Sequence, residues 1–143
     1  MVEKKYAKSH RDLIVYQKSR ILARAIFELT KSFPKEETYS PTDQIRRSSR
    51  SIGVQIAEVW AKRVYEKQFI SKPTDSDGEQ HETQHWIETA ENCGYVSHER
   101  SELLVEQCRE VRRLLGSMID KASLLCNPST RSVHESQVEY FVE

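Results

Sequence analysis

The sequence predicts an all-α protein, an antiparallel up-down-up-down four-helix bundle, and three observations carry that prediction. Apolar residues recur at alternating steps of three and four in two long segments, only four Gly and four Pro interrupt 143 residues, and residues 10–126 hold no stretch that reads as a strand. A composition of 37% apolar and 31% charged residues fits one compact domain. The sequence divides into an N-terminal arm (1–9), the bundle (10–126) and a C-terminal tail (127–143).

The first helix buries Val15, Ser19, Leu22, Ile26, Leu29 and Phe33, with Pro34 just past its end. The second starts after Ser40-Pro41-Thr42-Asp43 and buries Ile45, Ser49, Ile52, Ile56 and Val59. Beside that seam Ser49, Gly53, Ala57 and Ala61 recur every fourth residue, a spacing of small side chains that lets another backbone come close. In the third helix Pro73 and Gly78 interrupt the pattern between Phe69-Ile70 and Trp86-Ile87-Ala90, which predicts a kink or a restart near Thr74-Asp75 and an end at Gly94. The fourth carries the clearest seam: Leu104, Cys108, Val111, Leu115, Met118, Ala122 and Leu125, starting near Ser97 as N-cap and stopping before Asn127-Pro128. In the tail, Val133, Val138, Tyr140 and Val142 show no helical seam; the segment is either a docking strip or disordered.

No stretch approaches the roughly 18 apolar residues of a membrane span, and Met1-Val2-Glu3-Lys4-Lys5 lacks the apolar segment of a signal peptide, so the expected location is the cytoplasm. Cys93, Cys108 and Cys126 form no CxxC pair and fall where a small apolar residue would suit, which predicts reduced thiols. Basic and acidic residues balance at 22 each, which argues against a strongly basic nucleic-acid binder, yet they are segregated. Residues 42–72 hold seven basic and three acidic residues, whereas 75–102 hold eight acidic residues and only Arg100.

Four strings, in order, carry a family resemblance: Asp12-Leu13-Ile14-Val15-Tyr16-Gln17-Lys18, Gln44-Ile45-Arg46-Arg47-Ser48-Ser49-Arg50-Ser51-Ile52, Ile56-Ala57-Glu58 and Cys93-Gly94-Tyr95. Over roughly residues 10–125 the chain resembles the four-helix bundle proteins encoded in 23S ribosomal RNA intervening sequences, a family that includes accessory proteins of diversity-generating retroelements. The resemblance implies a homopentamer and a role in binding structured RNA or a nucleic-acid enzyme. Gln55-Ile56-Ala57-Glu58-Val59 departs from the family's Asn-Ile-Ala-Glu-Gly, and Gly78-Glu79-Gln80-His81-Glu82 keeps the Gly and Glu of its Gly-Ser-x-x-Glu but not the Ser.

Arg46, Arg47 and Arg50 occupy an arc of about 100° outside the apolar seam, and Lys62, Arg63 and Lys67 extend the positive charge. Two readings are open: these cations grip RNA phosphates, multiplied around a ring of subunits, or basic helix 2 simply neutralises acidic helix 3. His81-Glu82-Thr83-Gln84-His85 matches the HExxH spacing of zinc hydrolases. It lacks a well-placed third ligand, and a solvated polar face is the favoured reading over a metallohydrolase. Ser48, Ser49 and Ser51 have no neighbouring histidine and read as helix-packing residues rather than nucleophiles. Trp60, Phe69 and Trp86 have seam-like spacing, which suits a core or subunit interface, and Glu58 on its apolar helix suits either pairing with an arginine inside an interface or exposure to solvent.

The expected function is therefore a non-enzymatic homo-oligomeric scaffold that holds structured RNA or a nucleoprotein partner through helix 2, with a purely structural protein-interaction oligomer as the alternative. No catalytic residue, metal or cofactor is assigned.

Overall fold

A computed structural model describes residues 7–62 and 66–120, with backbone alone for 66–72 and 119. Four helices make up the fold: α1 (Ile14–Thr30), α2 (Pro41–Ala61), α3 (Glu66–Asn92) and α4 (His98–Asp120), with single 3-10 turns at His10–Asp12 and Lys35–Glu37. There is no strand among these elements. Helix α1 packs on α2 and α4, and α3 packs on the same two, so short connections close a four-membered antiparallel ring.

Local chemistry sets the ends. Ser9 and Asp12 form a capping box, the Ser9 hydroxyl accepting from the Arg11 amide and the Asp12 carboxylate accepting from the Ser9 amide at 3.3 Å. Helix α2 starts earlier than the sequence pattern indicates, because Pro41 stands at the first helical position, where its missing N–H costs nothing and its fixed φ suits the turn. Asp43 then lies in the first turn, against the positive end of the helix dipole.

Helix α3 neither stops nor restarts at Pro73. It runs as one 27-residue helix. Pro73 is buried, and the Ser76 hydroxyl, fully buried, donates to the Ile52 carbonyl of α2 over 3.1 Å, so packing on α2 holds the segment across its local breaker. The helix ends at Asn92, with Gly94 at φ +79°; the Gly94 amide bonds to the Glu91 carbonyl and the Tyr95 amide to that of Ala90, both at 2.9 Å, which is a Schellman motif. Ser97 caps α4 through the Arg100 amide at 3.2 Å. Ala122, Leu125 and the expected stop of α4 before Asn127 lie outside the described residues, as does Phe69's side chain.

The core takes Leu22 and Ile26 from α1, Ile45, Ile52, Ile56 and Val59 from α2, Ile87 and Ala90 from α3, and Leu104, Cys108, Val111, Leu115 and Met118 from α4. Each fully buried Leu or Ile contributes about 1.5–3 kcal/mol. Burial pushes the Cys108 thiol up to about 12. Cys93, in contrast to the sequence expectation, is exposed, because it directly precedes the turn at Gly94; Cys126 lies outside the described residues. Trp60 and Trp86 are half-buried and pack against the core. No helix of the described residues is long and apolar enough to cross a membrane.

Candidate nucleic-acid interface

The α1–α2 pairing sets the site. Helices α1 and α2 approach closely where Gly53 faces α1: a Cβ there would lie 3.2 Å from Ser19 Oγ and 3.7 Å from Tyr16 Cε2. That close pairing brings the second half of α1 against the first half of α2. Phe27 projects at the rim of this seam, half-buried, and three cations gather on its ring: Lys31 Nζ at 4.9 Å from the centroid, and the Arg46 and Arg50 guanidinium carbons at 5.0 and 5.6 Å.

Arg46 and Arg50 are one helical turn apart, so both reach the same ring. Arg46 is further fixed by donating from Nε to Thr30 Oγ1 over 2.7 Å, and Thr30 itself donates to the Phe27 carbonyl over 2.9 Å. Among the described residues no carboxylate pairs with Arg46 or Arg50. Beside them on α1, Glu28 bridges Arg24 and Lys31; the Lys31 hydrogen bond, above all, holds its carboxyl below the usual range. One carboxylate among four cations leaves this rim positive.

Arg47 points elsewhere. Turned about 100° from Arg46, it crosses to α3 and binds Glu82 through Nη2 and Glu79 through Nη1, the latter at 3.4 Å. The arginine triplet of the sequence is thus divided between two faces of α2. Lys62 caps the far end of α2, about 18 Å from Arg50 along the helix axis. The side chains of Arg63 and Lys67 lie outside the described residues.

The HExxH string does not converge. His81 is exposed, its Nδ1 2.9 Å from the Asp77 carbonyl oxygen and 3.7 Å from the Asp77 carboxylate. His85 lies edge-on to the Trp86 ring, and Glu82 is bound by Arg47. No group of three His, Cys, Asp or Glu among the described residues could hold a metal ion. Ser48 and Ser49 are buried and donate to carbonyls one turn back, which is how packing serines behave. Glu58 is half-buried, one turn along α2 from Val54.

Phe27, Thr30 and Lys31 escaped the sequence reading. Their 27, 30, 31 spacing is ordinary for a helix, and only the register of α1 against α2 shows that they receive the arginines.

A model of the 23S rRNA-intervening sequence protein family matches residues 11–117. The crystal structure of a protein with unknown function from the S23 ribosomal protein family of Bacteroides thetaiotaomicron VPI-5482 superposes with a TM-score of 0.68 at 30% identity, covering 75% of this chain and 96% of that one. No curated protein matches the chain.

Proposed function

The chain belongs to the 23S rRNA-intervening sequence protein family, and from that premise we propose that it is a non-enzymatic helical scaffold of the cytoplasm that assembles with copies of itself and holds structured RNA, alone or within a nucleoprotein. The observation that supports this reading is the pair Arg46 and Arg50, set side by side on Phe27 with no carboxylate partner among the described residues. Pre-set guanidinium groups bind phosphate oxygens with little further loss of side-chain freedom. A ring of subunits, five by the family resemblance, would repeat the pair and turn a modest contact into a strong one. Arg47 is left out of this role, because Glu79 and Glu82 already hold its charge.

The test is binding of a structured RNA across a salt series. Log affinity should fall linearly with log salt, with a slope of about −0.7 to −0.9 per phosphate engaged. Absence of binding at low salt overturns the reading. A second reading, an interaction oligomer with no nucleic-acid role, is favoured by the Arg47 bridge to α3 and by Ile21, Val54 and Leu103, each more than half exposed. It would show as a stable assembly by light scattering with no RNA affinity.

A further inference from the structure

The outer face of the α1–α2 seam carries an open groove of about 760 Å³. Its floor includes the small residues Ala23 and Ala57, beside the close approach of α1 and α2 at Gly53. Tyr16 and Phe27 stand toward its two ends, and Val54, 56% exposed, forms part of its wall. Two arginines of α1, Arg20 and Arg24, line it against one acid, Glu58, while Arg50 stands at its Phe27 end as part of the pair proposed to face phosphate. An occupant must therefore be apolar along its length and negatively charged at its edges.

We propose that residues 133–143 of this same chain occupy the groove. The segment reads Val-His-Glu-Ser-Gln-Val-Glu-Tyr-Phe-Val-Glu: five apolar or aromatic residues, three glutamates and no lysine or arginine. Its composition complements the groove in both respects. The reach is sufficient. Helix α4 is antiparallel to α1, and the Lys18–Glu110 pair at 3.3 Å sets its second half beside the start of α1, so Asp120, ten residues past Glu110, lies about 12 Å beyond the Tyr16 end of the groove along the axis. The twelve residues 121–132 can span at most about 40 Å, whereas passing around α1 at interhelical spacings of 8–10 Å while returning about 12 Å along the axis requires about 25 Å. The inference does not rest on RNA binding, and its test contains no nucleic acid.

Hydrogen exchange of the full chain, followed by mass spectrometry of C-terminal fragments, tests it. Amides of 134–143 should exchange at least about tenfold more slowly than in an isolated peptide of that sequence. Ala57→Glu on the floor and Val54→Asp on the exposed wall should each return them toward the peptide rate, and the second variant serves if the first misfolds. Exchange at the peptide rate in the unaltered chain overturns the proposal. Protection that survives both variants also overturns it, since the segment would then lie elsewhere. Protection that vanishes on dilution to the monomer overturns it as well, because the groove would be filled by a second copy.

Discussion

Arg47 on α2 binds Glu82 on α3, and that pair divides the arginine cluster into one structural residue and two that face the α1 rim. Burial works against both carboxylates it touches, but with opposite results. At Glu79 burial outweighs the Arg47 attraction and raises the pKa, whereas at Glu82 the Arg47 hydrogen bond and charge outweigh burial and lower it. Glu82 therefore contributes stability above its unfolded pKa that is lost as pH falls through its lower folded value, while Glu79 is relieved by protonation and acts in the opposite sense. The two act against each other in the unaltered protein. Glu79→Gln is expected to make acid destabilisation steeper below about pH 5, and Arg47→Ala to cost about 1 kcal/mol at neutral pH, both read from urea unfolding. An unchanged acid limb in Glu79→Gln contradicts the assignment.

The α3–α4 corner carries a second pH-sensitive contact. His98 Nδ1 donates to Glu91 Oε1 at 2.6 Å, and Ser101 donates to the other oxygen at 3.1 Å. The Glu91 hydrogen bond raises the His98 pKa above its ordinary value of 6.5. A raised histidine contributes stability that is fully present below its unfolded pKa and is lost as pH rises through the folded pKa. Melting temperature should thus decline from about pH 6 to about pH 8, and His98→Gln should flatten that decline. An identical slope in both proteins would rule the contact out as its source.

Two glycines should respond to alanine in opposite directions. Gly94 holds φ +79°, where an L side chain is strained, so Gly94→Ala should destabilise by about 1–2 kcal/mol. Gly78 lies inside α3 with open space where a Cβ would go, so Gly78→Ala should stabilise by about 0.5–1 kcal/mol. Thermal or denaturant unfolding of the two variants gives both signs at once.

Thr83 Oγ1 on α3 lies 2.9 Å from Ser48 Oγ on α2 and 2.8 Å from the Glu79 carbonyl oxygen, both hydroxyls being fully buried, so its one hydrogen is shared between two acceptors. Thr83→Val should cost about 1 kcal/mol and Ser48→Ala less, because the Thr83 hydroxyl then donates wholly to the Glu79 carbonyl, and the double variant should cost less than the two together, since both remove the same inter-helix contact. Strict additivity in the double-mutant cycle would show that the bond carries no coupling.

That buried hydroxyl pair also explains which parts of the fold the sequence revealed. The seam of α4 is apolar from Leu104 to Met118 and could be read directly. The seam of α3 has the same four- and three-residue steps, but its buried members are Ser76, Gln80, Thr83, Ile87 and Ala90. A reading based on apolar residues finds only the last two and takes Pro73 and Gly78 for a kink or a restart. The polar half is tolerated because its hydroxyls and amide find partners in Ile52, Ser48, Asp77 and Gln84. The opposition of basic α2 to acidic α3 was visible as charge, and Arg47 realises it. Which arginine turns which way was not visible, because Arg46, Arg47 and Arg50 look alike until the register of α1 gives two of them Phe27 and Thr30.

The most direct measurement is the salt dependence of structured-RNA binding for three single variants, Arg46→Gln, Arg50→Gln and Arg47→Gln, each checked for folding. If Arg46 and Arg50 hold phosphates, each of their variants should weaken binding and reduce the magnitude of the salt slope by about one, while Arg47→Gln leaves the slope unchanged. Equal slopes for Arg46→Gln, Arg50→Gln and the unaltered protein, or a reduced slope in Arg47→Gln alone, would contradict the account.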